Sequence, residues 1–192
     1  MKIIGIAGRK GSGKDTFAAP LLQENEGVFF KVKFADPLKN MLRSLFHDAG
    51  CSATQLEEMI EGQDKENEFS FLGFKTPRYA MQSLGTEWRN FLTPDLWTGI
   101  TESRIIKLAR GGTQGVVITD VRFPHEVDFV HRLGGKVFRI HGKDSHNALS
   151  EHPSEKLVDD LVVDGEIYNY GTIDALHGMA IVVSDAVGNS NI

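Results

Sequence analysis

Apolar positions along this chain fall into two rhythms, short β-branched runs and longer stretches with helical spacing. Lys2–Ile6 is apolar and β-branched and ends in glycines, which predicts a buried strand. Asp15–Gln23 reads as a helix, although Pro20 cannot donate to the Thr16 carbonyl, so a kink or a short first segment is expected. Val28–Phe34 alternates apolar and basic residues in its second half and reads as a second strand. Asp36–His47 places Leu38, Met41, Leu42, Leu45 and Phe46 on one helical face. Ala53–Glu61 predicts a short helix, and Gly62–Thr76 is charged and irregular, a surface excursion. Two helices follow, Pro77–Phe91 and Pro94–Arg110, each opened by a proline at or near its first turn.

Gly115–Thr119 is a short, uniformly apolar strand that ends at Asp120. A helix over Pro124–Leu133 and a strand over Lys136–Ile140 come next. His141–Ser154 is polar, carries three histidines and shows no periodicity, which predicts a loop or lid. An apolar segment Leu161–Val163, a helix near Thr172–His177, the run Met179–Val183 and a frayed terminus at Gly188–Ile192 complete the chain. Strands alternating with helices imply an α/β fold in which a parallel β-sheet is sandwiched by helices.

Composition narrows the classes. The 192 residues suit one domain with a small insertion. At 41% hydrophobic and 24% charged, neither a disordered tail nor a fibrous repeat fits. Cys51 is the single cysteine, which removes intramolecular disulfides and cysteine-built zinc sites and makes a reducing compartment the default. With 21 bases against 26 acids the net charge is -5, which argues against a nucleic-acid partner. A small anionic ligand stays open, because a few local bases and a helix terminus outweigh a mild global charge. The first apolar run stops at Gly8 and is followed by Arg9 and Lys10, unlike a secretory signal, and no apolar run of about 18 residues spans a bilayer. The expectation is a soluble, cytoplasmic chain with no membrane partner.

The strongest chemical signal is Gly8-Arg9-Lys10-Gly11-Ser12-Gly13-Lys14, which satisfies the G-x-x-x-x-G-K part of a Walker A loop and lies between a predicted strand and helix. Glycines let successive backbone N–H groups turn inward around phosphate oxygens, where side chains would obstruct them. The helix behind the loop adds unpaired N–H groups and the positive end of its dipole, and Lys14 meets the β- and γ-phosphates as a point charge. Lys10, Gly11, Ser12, Gly13, Lys14, Asp15 and Thr16 are therefore the candidate nucleotide-binding residues. Where the motif wants Ser or Thr after the lysine, this chain has Asp15, with Thr16 next. Thr16 is a candidate for magnesium or the α-phosphate, and Asp15 for magnesium or a place near the transferred group. The plain alternative, an ordinary glycine-rich turn, is disfavoured by strand, loop, lysine and helix occurring together.

Gly8–Thr16, Phe34-Ala35-Asp36-Pro37-Leu38-Lys39, Met81–Arg89, Thr119–Glu126 and Asn169-Tyr170-Gly171-Thr172 occur in this order over most of the chain. Together they resemble the deoxynucleoside monophosphate kinase family of tailed bacteriophages. The late Asn-x-Gly-Thr element is similar to one found in several small-metabolite P-loop kinases, which adds Asn169 and Gly171 to the nucleotide-binding candidates. The resemblance implies a P-loop, nucleotide-kinase-like fold over 1–192, with a helical substrate-binding insertion over about 50–110 and a lid over about 141–155. It implies ATP-dependent phosphorylation of a deoxynucleoside 5′-monophosphate, Mg2+ as the metal, small-molecule substrates as partners, and the host cytoplasm if the chain is phage-encoded. A homodimer is compatible with it. Alternatives are a dephospho-coenzyme A kinase-like or phosphomevalonate kinase-like enzyme, and a non-kinase ATP-binding switch or packaging accessory.

The remaining blocks have physical readings of their own. Asp36 follows the second strand, where open α/β proteins place ligands, and is a candidate to accept from a substrate hydroxyl or hold magnesium through water; it is equally read as a plain N-cap. Lys39, one turn on, is either a phosphate contact or solvated. Arg78, Gln82 and Arg89 lie near one helical face, which suits a monophosphate and its base, with Thr86 and Glu87 in the same block. Gly85-Thr86 is expected to interrupt that helix. Asp120 matches the position of a Walker B carboxylate and is the third metal candidate, and Arg122 is placed to neutralise charge on the transferred group. A structural Asp120–Arg122 or Arg122–Glu126 pair is the alternative. His141, His146 and His152 match no standard zinc spacing. Lys14, Arg122 and Asp36 are thus the catalytic candidates. Arg139 and Lys143 are candidates to reach the donor phosphates on lid closure, unless Arg139 only faces outward from its strand.

Overall fold

The computed structural model describes residues 1–23, 29–143 and 157–189. Two compact units emerge, one of Met1–Phe34 with Thr101–Ile192 and one of Ala35–Ile100. The boundary at 100/101 falls inside one helix.

The first unit is built on five parallel strands, β1 (Lys2–Ala7), β2 (Phe29–Val32), β3 (Gly115–Val121), β4 (Lys136–Gly142) and β5 (Gly165–Asn169), in the order β2-β3-β1-β4-β5. Alternation along the strands serves two cores. Ile3, Val116, Ile118 and Val137 face one side, where they meet Ile105 of α5 (Leu96–Arg110), Val127 and Val130 of α6 (Pro124–Arg132), and the segment carrying Val158 and Leu161. Ile4, Ile6, Val117, Ile140 and Ile167 face the other, against Phe17, Ala18 and Leu21 of α1 (Lys14–Gln23) and Leu176 and Ala180 of α7 (Ile173–Ala186). The parallel sheet is covered on both faces, as the element order predicts.

Three readings need correction. α1 runs unbroken through Pro20. A proline inside a helix costs about 3 kcal/mol, and burying side chains such as Phe17, Ala18 and Leu21 offsets it at roughly 1.5–3 kcal/mol for each large one. The fifth strand, Gly165–Asn169, lies past the apolar segment Leu161–Val163 and is missed by the sequence reading, because only Ile167 of this edge strand is buried. Thr172–His177 and Met179–Val183 form one helix, α7, whose N-terminus is closed by Thr172 Oγ1 accepting from the Ala175 N–H at 3.2 Å.

The second unit is helical, with α2 (Asp36–Asp48), α3 (Ala53–Ile60) and α4 (Pro77–Phe91) around Leu42, Phe46, Leu56, Met59 and Ile60. α3 opens on a capping box in which Ser52 and Gln55 satisfy one another's backbone N–H groups. The charged stretch before α4 is more ordered than its composition suggests: two 3-10 turns, Gln63–Glu66 and Ser70–Leu72, carry Phe69 and Leu72 onto the helical core. α4 is continuous through Gly85-Thr86, and the Gly85 carbonyl accepts the Trp97 indole N–H at 2.9 Å. The expected helical insertion at about 50–110 overlaps this unit, which begins earlier and ends earlier.

Candidate active site

All five strands run parallel, so their carboxyl ends meet along one edge, where α/β proteins bind ligands. β1 delivers the glycine loop there. Gly8, Gly11 and Gly13 have φ of 149, 80 and 98 degrees, a region that side chains disfavour. A Cβ on Gly8 would lie 2.6 Å from Ser12 Oγ and 2.7 Å from the Ile140 carbonyl, and one on Gly13 would lie 2.5 Å from Asn169 Nδ2. The loop therefore needs glycine for conformation and for space. Lys14 leans back over it, and its Nζ donates to the Gly8 and Arg9 carbonyls at 2.7 Å each. Ser12 is fully buried, and its Oγ has no hydrogen-bond partner among the described residues. A buried orphan hydroxyl inside such a loop is a donor awaiting an acceptor.

The other strand ends wall the loop. Asn169, at the end of β5, donates from Nδ2 to the Ser12 carbonyl at 3.1 Å, so it shapes the loop from outside. Gly171 follows, exposed, two residues before α7. Gly142 closes β4 against the loop, where a Cβ would sit 2.8 Å from Ser12 Cα. The sequence reading missed Gly142, and nothing local marks it, since the requirement comes from a partner far along the chain. Arg9 pairs with Asp159 through both guanidinium and carboxylate. Lys10 is exposed.

Asp15, in the first turn of α1, pairs with Lys31 at 3.1 Å and Lys33 at 3.7 Å. Partial burial alone would raise its pKa. The Lys31 hydrogen bond and the charges of Lys33, Lys31 and Lys14 outweigh burial and hold it below the usual aspartate value. Lys31 lies on β2 and Lys33 just past its end, and both reach Asp15. The basic alternation of this strand was visible in the sequence, but not its partner. Thr16 lies half-buried in the first turn of α1.

Asp120, near the end of β3, accepts the Phe34 N–H on Oδ1 at 2.9 Å, which ties the end of β3 to the chain just past β2. Arg122 follows β3, half-buried. Glu126, 7% exposed, accepts the backbone N–H of Arg122 at 2.7 Å and of Phe123 at 3.1 Å on one oxygen, Oε2. Burial, and then the neighbouring Asp120 charge, push its pKa up to about 8 against the opposing hydrogen bonds. Arg139 is neither an exposed strand residue nor turned to the strand ends. It is 7% exposed and donates to the Val158 and Leu161 carbonyls and to Glu166. Of the expected lid, His141 and Gly142 belong to β4 and Lys143 to a turn, and residues 144–155 lie outside the described residues.

The substrate candidates Asp36, Lys39, Arg78, Gln82, Thr86, Glu87 and Arg89 all belong to the helical unit. Asp36 is the first residue of α2 while Ala35 takes the N-cap position, so Asp36 is not the cap. Lys39 donates to both Glu61 oxygens at 2.8 and 2.9 Å, and Arg78 pairs with Glu66. Arg78, Gln82 and Arg89 are half-buried on α4, whereas Thr86 and Glu87 are exposed. Glu87 stands apart from them, lining a cleft of about 310 Å³ with Lys75, Tyr79, Ser83 and Trp88.

Residues 75–179 match the family described as deoxynucleotide monophosphate kinase. A protein of Acanthamoeba polyphaga mimivirus, named "Putative deoxynucleotide monophosphate kinase", is 31% identical over the whole of both chains. The chain belongs to the deoxynucleotide monophosphate kinase family. Family membership makes it a kinase of nucleotide metabolism on a P-loop kinase fold. The relative is from a mimivirus, so a phage source does not follow from it. Among solved structures, an unliganded sugar kinase from Janibacter sp. HTCC2649 aligns over 98% of this chain and 99% of its own, at 13% identity and a TM-score of 0.43. No helix among the described residues is long and apolar enough to cross a membrane.

Proposed function

We propose that the chain transfers the γ-phosphoryl group of ATP to a deoxynucleoside 5′-monophosphate, releasing ADP and the deoxynucleoside diphosphate. The observation that carries this is the glycine loop itself, with its positive-φ glycines, the orphan Ser12 hydroxyl and Lys14 folded over the loop carbonyls. These groups fit a polyphosphate: Ser12 gains an acceptor, and the Lys14 ammonium exchanges two carbonyls for phosphate oxygens. The base and ribose of the donor are assigned to the Asn169–Gly171 side of the loop.

Magnesium fits a smaller set of residues. Kinase Mg2+ is held mostly by phosphates and water and needs one or two carboxylates. Thr16 and Asp120 are its candidate ligands, and Asp15, engaged by two lysines, is the weaker one. Bound there, the ion supplies charge neutralisation on the transferred group.

The acceptor is assigned to the helical unit, where Arg89 and Arg78 would hold the monophosphate's phosphate, Gln82 its base, and Asp36 its hydroxyl. Glu61 and Glu66, which now engage Lys39 and Arg78, would give way to it. The acceptor phosphate is itself the nucleophile, so the protein's task is positioning and charge neutralisation by Lys14 and Arg122. The test is a panel of deoxy- and ribonucleoside monophosphates, with dephospho-coenzyme A and phosphomevalonate alongside, assayed with Mg·ATP for ADP release. Turnover confined to nucleoside monophosphates is expected, and no turnover on any of them overturns the reading.

A further inference from the structure

Only Arg122 and Phe123 separate β3 from α6. The N–H groups of both are taken by one atom, Glu126 Oε2, from inside the first turn of the helix that follows. The reach-back itself is shared with α3, where the exposed Gln55 amide accepts the Ser52 N–H at 2.9 Å. α3, α4 and α7 also carry a hydroxyl, from Ser52, Thr76 and Thr172 at exposed or half-buried positions, that accepts a backbone N–H of the first turn. At α6 the group that reaches back is a carboxyl buried to 7% exposure beside a second acid, Asp120, a costly choice where an exposed amide serves at α3. A costly buried acid in the first turn of α6, bonded to the connection that leaves β3, points to a requirement other than stability.

Asp120 supplies the complementary restraint. Its carboxylate holds the Phe34 N–H, so the end of β3 is fixed on both sides: by Asp120 to Phe34, just past β2, and by Glu126 to α6. We propose that Glu126 is a positioning residue for Arg122, fixing the two-residue connection so that the guanidinium is held at the strand ends during phosphoryl transfer. The proposal rests on the kinase reading above. Glu126 touches neither substrate in this assignment, and its oxygen accepts both N–H groups whether or not the carboxyl is ionised.

Glu126→Gln keeps an accepting oxygen and the shape of the side chain, whereas Glu126→Met keeps the volume and removes the acceptor. Both are compared with wild type by steady-state kinetics, by thermal unfolding and by amide exchange at Arg122 and Phe123, alone and in an Arg122→Ala background. Misplacing a reacting group by about 1 Å costs on the order of 100-fold. The expected result is a kcat loss of that order for E126M with KM for both substrates nearly unchanged, near-normal kcat for E126Q, and faster exchange at the two amides in E126M only. In the R122A background E126M should lower kcat no further, because the two act as a unit. A folded E126M with lowered thermal stability but wild-type kcat overturns the proposal, and so does a full additional loss on top of R122A. If E126M does not fold, the cycle is read with E126Q, whose kcat falling as far as that of R122A overturns it equally. A wild-type enzyme that turns over no monophosphate overturns the kinase reading instead, and is separable because the amide-exchange contrast still reports whether Glu126 holds the connection.

Discussion

Asp164 is the sharpest quantitative handle on how the site's frame is held. It lies just ahead of β5, and its carboxylate accepts from Lys136 Nζ and His131 Nε2 at 2.7 Å each and from the Val137 N–H at 2.8 Å. Its own N–H donates back to the Val137 carbonyl at 2.8 Å, which aligns β5 on β4. Burial works against the charged form, but the Lys136 hydrogen bond, the Val137 N–H and His131 prevail and bring the pKa from 3.8 to about 2. That depression corresponds to about 2.5 kcal/mol of folding stability as a ceiling. The Asp164 side chain is 18% exposed but Lys136 is 55% and His131 40% exposed, so solvent screening reduces the expected value to about 1–2 kcal/mol. A folded pKa below the unfolded one stabilises above the unfolded value. That stability is fully present above about pH 4 and drains away as pH falls towards about 2. Asp164→Asn should therefore lower the unfolding free energy by about 1–2 kcal/mol at pH 7, measured by urea titration, and the gap from wild type should narrow between pH 4 and pH 2.5. Equal stabilities at pH 7, or a gap that stays constant down to pH 2.5, would refute the reasoning.

Lys14→Ala should lower kcat by about 100-fold or more with an unchanged circular dichroism spectrum, since it removes fixed positive charge where negative charge gathers; near-normal kcat would make the loop decorative. Arg89→Ala and Arg78→Ala should each raise KM for the monophosphate by about 30-fold, the equivalent of about 2 kcal/mol, and leave KM for ATP nearly unchanged. An equal effect on both substrates in steady-state assays would indicate damage to α4 instead. Arg139→Met leaves the Val158 and Leu161 carbonyls without their donor and Glu166 without its partner, and should cost about 3 kcal/mol in urea unfolding. It should also weaken ATP binding measured by calorimetry, because Asp159, the partner of Arg9, lies in the segment that Arg139 holds. Wild-type stability in that variant would mean the clamp is ornamental.

Much of the frame is legible in the sequence because its signals are local. β1 is a β-branched run stopped by glycines, α4 is opened by Pro77 behind the capping hydroxyl of Thr76, and G-x-x-x-x-G-K sits between strand and helix where phosphate chemistry requires it. What escaped reading depends on distant partners. β5 is an edge strand with a single buried position, so its apolar signal is weaker than that of the neighbouring Leu161 segment. Pro20 and Gly85 both look like helix breakers, and tertiary contacts made by residues around them carry the helices through. Lys31 and Lys33 announce a basic strand face but not that Asp15 receives it. Glu126 was legible only as an alternative ion pair with Arg122, whereas its hydrogen bonds go to the backbone at 122 and 123.

The walls of the glycine loop set an order on when this protein can acquire its ligand. Gly142 and Asn169, which press on the loop and hold the Ser12 carbonyl, lie far downstream of it and are made after it. At about 5–20 residues per second, a nascent chain carries the complete motif for roughly 10–30 s before the parts that shape it exist. A C-terminal truncation ahead of β5 would likewise keep every residue of the motif and lose the strand that holds it. On the proposed function, nucleotide binding would require β5 as well as the loop, and binding of a labelled ATP analogue by ribosome-stalled fragments should switch on only once β5 has emerged.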